Sequence, residues 1–118
     1  MTQPFSILII EDEPLISMMM EDFVDMLGYG LAGTVDSVAD ALGQIEAGGF
    51  DAAILDVHLR DGVCWPVADA LAAKNIPFLI ATGGHVEPPP AAHADAPQLA
   101  KPFTLDGVTT ALESLQRA

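Results

Sequence analysis

Short apolar segments alternate with longer amphipathic segments along the chain, and this alternation constrains the fold more than any other feature. The first segment, residues 5–10, is apolar almost throughout rather than at every second position, which is typical of a parallel strand covered on both faces. The alternation predicts βαβ units, and therefore an α/β fold with a parallel sheet. The predicted strands are residues 5–10, 31–35, 52–55, 78–81 and 98–100.

Local signals place predicted helices between these strands. Pro14 suits the first turn of a helix, with Asp12 or Glu13 at the N-cap position, because a backbone nitrogen in that turn needs no partner within the helix. Ser37 followed by Asp40 resembles a capping box, which predicts the start of the second helix. These signals indicate helices directly after the first and second strands.

The remaining connections carry weaker signals. Residues 57–62 are predicted to form a loop, and Thr104 is predicted to cap the last helix. Residues 83–97 contain three consecutive prolines, which allow only a shortened or displaced fourth helix in that stretch.

Length and composition predict a single domain over residues 1–118. A chain of this length lies within the size range of one compact domain, and 51% hydrophobic residues provide enough material for a core. The net charge of −13 argues against binding to nucleic acid or to an anionic membrane surface, and no apolar run is long enough to cross a bilayer. A single cysteine and a start without signal-peptide features predict a location in the reducing cytoplasm.

Polar residues follow most of the predicted strands. In a parallel sheet the strand-to-helix connections leave from one edge, so these residues are expected to meet where ligands bind. The predicted site combines three carboxylates, a hydroxyl and an ammonium group. Its members are Glu11 and Asp12 after the first strand, Asp56 after the third, Thr82 after the fourth and Lys101 after the fifth.

The carboxylates of the predicted site require a cation. If the first and third strands are neighbours, Glu11, Asp12 and Asp56 lie close together, and each pair at about 4 Å repels by roughly 4 kcal/mol at an effective dielectric constant near 20. Carboxylate oxygens in an incomplete ligand set favour Mg²⁺. A carboxylate held against Mg²⁺ and the ammonium of Lys101 can attack phosphorus, which predicts an aspartyl phosphate.

In combination, these residues resemble the receiver domain of two-component response regulators, over essentially the whole chain. The resemblance implies a doubly wound, five-stranded parallel sheet of order 2-1-3-4-5 with helices on both faces. The motifs that carry it, in the order of the family, are Glu11-Asp12, the segment DAAILDVHLRDG at residues 51–62, Thr82, and Lys101-Pro102-Phe103.

The resemblance also implies roles for the acidic residues. Asp56 corresponds to the phosphoacceptor and Asp12 to a direct Mg²⁺ ligand. Glu11 corresponds to a residue that acts on the ion through water, and the backbone carbonyl of His58 to a further ligand. The implied cofactor is therefore Mg²⁺.

Further roles are implied for residues after the fourth and fifth strands. Lys101 corresponds to the lysine that pairs with the acceptor and then with the phosphoryl group, and the bond before Pro102 corresponds to a cis peptide. Thr82 corresponds to the switch hydroxyl, and Gly83 and Gly84 lie in the loop that moves with it.

The segment PFLIATGGH at residues 77–85 is similar to the signature Phe-Ala-Thr-Gly-Gly-Tyr of a subgroup of stand-alone bacterial receivers, whose usual phosphodonors are sensor histidine kinases. Ile80 and His85 replace aromatic residues of that signature. Gln98 replaces the aromatic residue that the family often has three positions before the lysine. We therefore expect a stand-alone receiver with a differently built switch.

The sequence predicts a single-domain response regulator rather than an enzyme with an external substrate. It accepts a phosphoryl group on Asp56 from a histidine kinase or a histidine phosphotransfer protein, requires Mg²⁺, and catalyses only its own phosphorylation and dephosphorylation. No effector domain is expected after Ala118, so the output is contact with a downstream protein or action as a phosphate sink. Two alternatives stay open, namely a receiver-like module that binds its partner without phosphorylation and a Mg²⁺-dependent phosphohydrolase.

Overall fold

Strands and helices alternate in the computed structural model, which describes residues 5–82, 98–100 and 104–116. The strands are β1 (Ser6–Ile10), β2 (Gly30–Val35), β3 (Ala52–Asp56), β4 (His58–Leu59), β5 (Gly62–Val63), β6 (Phe78–Thr82) and β7 (Gln98–Ala100). The helices are α1 (Pro14–Met26), α2 (Val38–Ala47), α3 (Trp65–Ala73) and α4 (Leu105–Gln116). The predicted alternation of strands and helices is confirmed over this part of the chain.

Five strands form one parallel sheet in the order β2-β1-β3-β6-β7. The short strands β4 and β5 form a separate antiparallel pair, so the strands of the large sheet follow the predicted order 2-1-3-4-5. In this sheet β1 lies between β2 and β3, and Ile10 of β1 is opposite Leu55 of β3. The predicted doubly wound fold is confirmed, and the first and third strands are neighbours.

Two apolar cores lie on opposite faces of the sheet. Along β1, Leu8 and Ile10 belong to one core and Ile7 and Ile9 to the other, because successive side chains of a strand point to opposite faces. Residues of α2 and α3 complete the first core, and residues of α1 and α4 complete the second. These four β1 side chains are fully buried, and burial of each stabilises the fold by about 1.5–3 kcal/mol relative to exposure. Helices therefore cover both faces, as predicted.

The helix starts largely follow the predicted capping residues. The Ser37 hydroxyl accepts a hydrogen bond of 3.1 Å from the backbone N–H of Asp40, and the Thr104 hydroxyl accepts one of 3.0 Å from Gly107. At α1 the N-cap position is held by Glu13, whose side chain makes no capping hydrogen bond. Of the three helices with a predicted N-cap residue, two are thus capped by the predicted side chain.

The prediction of a loop at residues 57–62 is wrong. Most of this stretch belongs to the hairpin of β4 and β5, which is closed at its base by a 2.8 Å hydrogen bond from the backbone N–H of Cys64 to the carbonyl of Val57. Strands of two residues are too short to show an apolar alternation. The sequence pattern therefore carried no signal for them.

Several predictions fall outside the described residues. They concern the fourth helix within residues 83–97, the loop glycines Gly83 and Gly84, and the pair Lys101 and Pro102. Within the described ranges, none of the helices combines the length and the apolar character needed to cross a membrane.

Candidate functional site

Three carboxylates meet at the carboxyl ends of β1 and β3. Glu11 and Asp12 directly follow β1, and Asp56 is the last residue of β3. Because these two strands pair, one carboxylate oxygen from each of the three side chains lies within 4.8 Å of the others. The structure thus brings together the three acidic residues that the sequence analysis assigned to a metal site.

This acidic cluster, Glu11, Asp12 and Asp56, is largely withdrawn from water. The relative exposure is 5% for Glu11 and 7% for Asp56, and Asp12 is more exposed than either. Two unit charges at the observed limit of 4.8 Å repel by roughly 3 kcal/mol at an effective dielectric constant near 20. The cluster therefore has a strong requirement for positive charge.

The basic side chains in the described part of the chain form ion pairs elsewhere. Arg60 pairs with Asp36 at 3.3 Å, and Lys74 pairs with Glu46 at 3.7 Å. Neither of these pairs includes a member of the acidic cluster. Lys101, which the resemblance assigns to the site, lies outside the described residues.

The donor set of the cluster suits a small divalent cation. Carboxylate oxygens are the ligands that Mg²⁺ prefers, and two of them on opposite sides of the ion lie about 4.2 Å apart. Oxygens that already approach to within 4.8 Å can reach this spacing through small side-chain rotations. The three residues therefore fit around one Mg²⁺ ion.

A surface pocket of about 310 Å³ opens beside the cluster. Its lining includes four carboxylates, so its potential favours small cations and opposes large anionic substrates. The pocket gives solvent and ions access to the cluster. Its polar lining residues are Glu11, Asp12, Ser17, Thr34, Asp36 and Asp40.

The thiol of Cys64 lies close enough to Asp56 for the charge of that carboxylate to affect the pKa of the thiol. Cys64 is fully buried at the N-cap position of α3. Burial raises the pKa of Cys64 to about 12, and the negative charge of Asp56 contributes to the increase. The thiol is therefore protonated at neutral pH and is a poor nucleophile.

Two further predicted site residues lie at the same edge of the sheet. Thr82 is the last residue of β6, directly after Ala81, which is opposite Asp56 in the register of β3 and β6. His58 begins β4, two residues after Asp56, and its side chain is exposed. The predicted site residues outside the described ranges are Gly83, Gly84, Lys101 and Pro102.

Asp61 received no role in the sequence analysis, and the structure shows one. Its carboxylate accepts hydrogen bonds from the backbone N–H groups of Val38, at 2.6 Å, and Ala39, at 3.2 Å, in the first turn of α2. The hydrogen bond from Val38 is the main cause of a lowered pKa for Asp61. An aspartate followed by glycine is typical of turns, so the sequence indicates a turn at this position but not the contact with α2.

No protein-family model matches the chain, and neither does any curated protein. Solved structures do match. SdrG from Sphingomonas melonis Fr1 is 53% identical over 98% of this chain and 99% of its own, with a TM-score of 0.85. The BeF3-activated conformation of SdrG from Pseudomonas melonis Fr1 is 54% identical over 98% of each chain, with a TM-score of 0.81.

The REC domain of the response regulator PhyR from Erythrobacter litoralis is 28% identical over 98% of this chain and 92% of its own, with a TM-score of 0.77. This chain belongs to the response regulator receiver family. The receiver domain of the sensor histidine kinase PA1611 from Pseudomonas aeruginosa PAO1 shares the receiver fold. It is 21% identical over 99% of this chain and all of its own, with a TM-score of 0.84, and it carries a magnesium ion in its active-site cleft.

Membership of the receiver family confirms the resemblance on which the sequence analysis relied. In this receiver domain, the acidic cluster lies at the carboxyl edge of the parallel sheet, where ligands bind in doubly wound folds.

Proposed function

We propose that this receiver domain is a single-domain response regulator in which Asp56 accepts a phosphoryl group. The approach of the Glu11, Asp12 and Asp56 oxygens to within 4.8 Å carries the proposal, because this arrangement can hold a cation beside a nucleophilic carboxylate. The relation to SdrG supports it, since beryllofluoride imitates a phosphoryl group bound to a carboxylate and SdrG has a BeF3-activated conformation.

The proposed cofactor is Mg²⁺. Asp12 and Asp56 would hold it directly, Glu11 through water, and the backbone carbonyl of His58 would be a further ligand. When bound, Mg²⁺ offsets the negative charge of the phosphoryl oxygens. The magnesium ion in the cleft of the PA1611 receiver domain shows that the same fold holds this metal.

In the proposed reaction, a carboxylate oxygen of Asp56 attacks the phosphorus of a phosphohistidine. The O–P bond forms while the P–N bond breaks, and the leaving imidazole nitrogen keeps the electron pair of the broken bond. Attack of water on the aspartyl phosphate later releases inorganic phosphate and restores the carboxylate. The protein therefore acts on itself and turns over no external substrate.

We assign the remaining roles by resemblance to the family. Lys101 would pair with the Asp56 carboxylate and then with the phosphoryl group, and Thr82 would supply the switch hydroxyl that bonds a phosphoryl oxygen. The donor is a sensor histidine kinase or a histidine phosphotransfer protein. The output is contact with a downstream protein or drainage of phosphoryl groups, and the net charge of −13 argues against nucleic acid as the target.

Incubation with acetyl phosphate and Mg²⁺ tests the proposal. We expect an acid-stable, hydroxylamine-labile adduct on the wild-type protein and none on Asp56→Asn. The matched control is Asp51→Asn, since Asp51 is an exposed aspartate directly before β3, at the opposite end of the strand from Asp56. This control should be phosphorylated like the wild type.

Two other results would contradict the proposal. Sustained turnover of diverse phosphoesters would indicate a phosphohydrolase. A folded wild-type protein that forms no adduct, yet still binds its partner, would indicate an interaction module that works without phosphorylation.

A further inference from the structure

The hairpin of β4 and β5 is bound to the start of α2 by four polar contacts. Two are the hydrogen bonds that Asp61 accepts from Val38, at 2.6 Å, and Ala39, at 3.2 Å. The backbone N–H of Arg60 donates to the carbonyl of Asp36 at 3.2 Å, and the Arg60 guanidinium pairs with the Asp36 carboxylate at 3.3 Å. The turn of the hairpin is thus fixed to a helix more than 20 residues away in sequence.

The same hairpin is covalently continuous with the acidic cluster. His58, whose carbonyl is the proposed further Mg²⁺ ligand, begins β4 two residues after Asp56. A hairpin with two residues in each strand is marginally stable by itself, so its position depends on the burial of Leu59 in the core and on the contacts at its turn. Movement of the turn away from α2 would be transmitted through β4 to the carbonyl of His58.

Capping of α2 does not account for Asp61 by itself. Ser37 already caps this helix through the backbone N–H of Asp40. Asp61 is an exposed side chain, so water can replace its two hydrogen bonds when they are lost. Its two hydrogen bonds do, however, join the segment that follows Asp56 to α2, a helix whose apolar residues pack in the core.

We propose that Asp61 is a positioning residue for the metal site, which holds the hairpin against α2 and thereby keeps the backbone carbonyl of His58 in place as a Mg²⁺ ligand. The inference rests on the proposed function. It predicts that loss of the Asp61 carboxylate weakens Mg²⁺ binding, although Asp61 does not touch the ion.

The test is titration of the full chain with Mg²⁺, followed by the fluorescence of Trp65, the single tryptophan. Loss of a residue that orients a metal ligand typically weakens metal affinity about 10-fold or more, so we expect such a rise in the Kd for Mg²⁺ with Asp61→Ala. Asp61→Asn keeps one acceptor oxygen and should show a smaller rise. With acetyl phosphate, the Asp61→Ala protein should need more Mg²⁺ but reach the wild-type rate of adduct formation at saturation.

Two control variants separate positioning from charge and from the general loss of a carboxylate that accepts a backbone hydrogen bond. Asp40→Asn removes a negative charge from the first turn of α2 and from the lining of the pocket, and should raise the Kd far less than Asp61→Ala. Asp51→Ala removes a carboxylate that accepts a 2.7 Å hydrogen bond from the backbone N–H of Ser6, at the opposite end of β3, and should leave the Kd unchanged. If Asp61→Ala does not fold, Arg60→Gln tests the same attachment through the neighbouring contact.

A folded Asp61→Ala protein with the Kd of the wild type would overturn the inference and leave the proposed function intact. An equal rise in Asp61→Ala and Asp40→Asn would also overturn it, since charge alone would then be the cause. A wild-type protein that neither binds Mg²⁺ nor forms an adduct would overturn the proposed function itself, and the inference with it.

Discussion

The N-termini of α1 and α2 lie at the same edge of the sheet, but their first backbone N–H groups have different partners. At α1, Pro14 occupies the first turn and the side chain of Glu13 makes no capping hydrogen bond. At α2, the Ser37 hydroxyl and the Asp61 carboxylate together accept hydrogen bonds from three successive backbone N–H groups. One helix start is capped twice, and the other lacks a side-chain cap at its N-cap residue.

The acidic residues at these two helix starts have different surroundings. The acidic residues before α1 contribute two members of a cluster whose charges repel one another. Near the start of α2, by contrast, the carboxylate of Asp61 accepts hydrogen bonds and that of Asp36 forms an ion pair. A site that must bind a cation retains unfavourable interactions, which the rest of the fold offsets.

The largest effect is expected from a substitution before α1. Asp12→Asn should remove most of the stabilisation by Mg²⁺, which amounts to about 2.7 kcal/mol in the wild type at 100 times the Kd. Without Mg²⁺ the same variant should be more stable than the wild type by about 1 kcal/mol, because one repulsive charge is gone. Urea unfolding in EDTA and in MgCl₂ measures both changes.

The control for Asp12→Asn is Asp22→Asn, which removes an exposed charge from α1 itself. This variant should keep the full Mg²⁺ effect. If Asp12→Asn were stabilised by Mg²⁺ as strongly as the wild type, Asp12 would not be a ligand.

An intermediate effect is expected on the α2 side. Ser37 is only 1% exposed, and Ser37→Ala would leave the backbone N–H of Asp40 without its acceptor. The free energy of unfolding should fall by about 1 kcal/mol, the usual effect of losing an N-cap. The increment in stability on adding Mg²⁺ should be retained, in contrast to Asp12→Asn.

Ser114→Ala, at an exposed position of α4, provides the comparison for Ser37→Ala and should be neutral. Loss of the Mg²⁺ increment in Ser37→Ala would show that stability and metal binding are not separated at α2.

The smallest effect should come from giving α1 a cap like that of α2. Glu13 has the extended backbone of an N-cap residue, and Glu13→Ser should raise the free energy of unfolding by about 0.5–1 kcal/mol, since a serine hydroxyl can accept from the first turn. Thermal or urea unfolding measures the gain. Glu13→Gln removes the charge without adding a good cap, so an equal gain in both variants would assign the effect to charge rather than to capping.

The fold could be predicted well from the sequence, because the signals for its strands and helices lie in or next to those elements. The apolar run at residues 5–10 indicated a strand buried on both faces, and Ile7 to Ile10 are indeed fully buried. Ser37 and Asp40 indicated a cap that the structure contains. In both cases the signal lies within a few residues of the element that it predicts.

The hairpin at β4 and β5 and the role of Asp61 could not be predicted in the same way. Its strands have two residues each, which leaves no periodic pattern to detect. Asp61 caps a helix that begins 23 residues earlier, so no local rule connects the two. The position of this carboxylate depends on how the connection after β3 packs against α2.

The sequence by itself determined the parallel sheet and the edge at which polar residues collect, because apolar periodicity and strand ends are local properties of the chain. Only the tertiary structure decided that Glu11, Asp12 and Asp56 approach to within 4.8 Å, and that Asp61 reaches the start of α2. Distances between side chains of separate elements depend on strand pairing and helix packing, which bring together residues that are far apart in sequence.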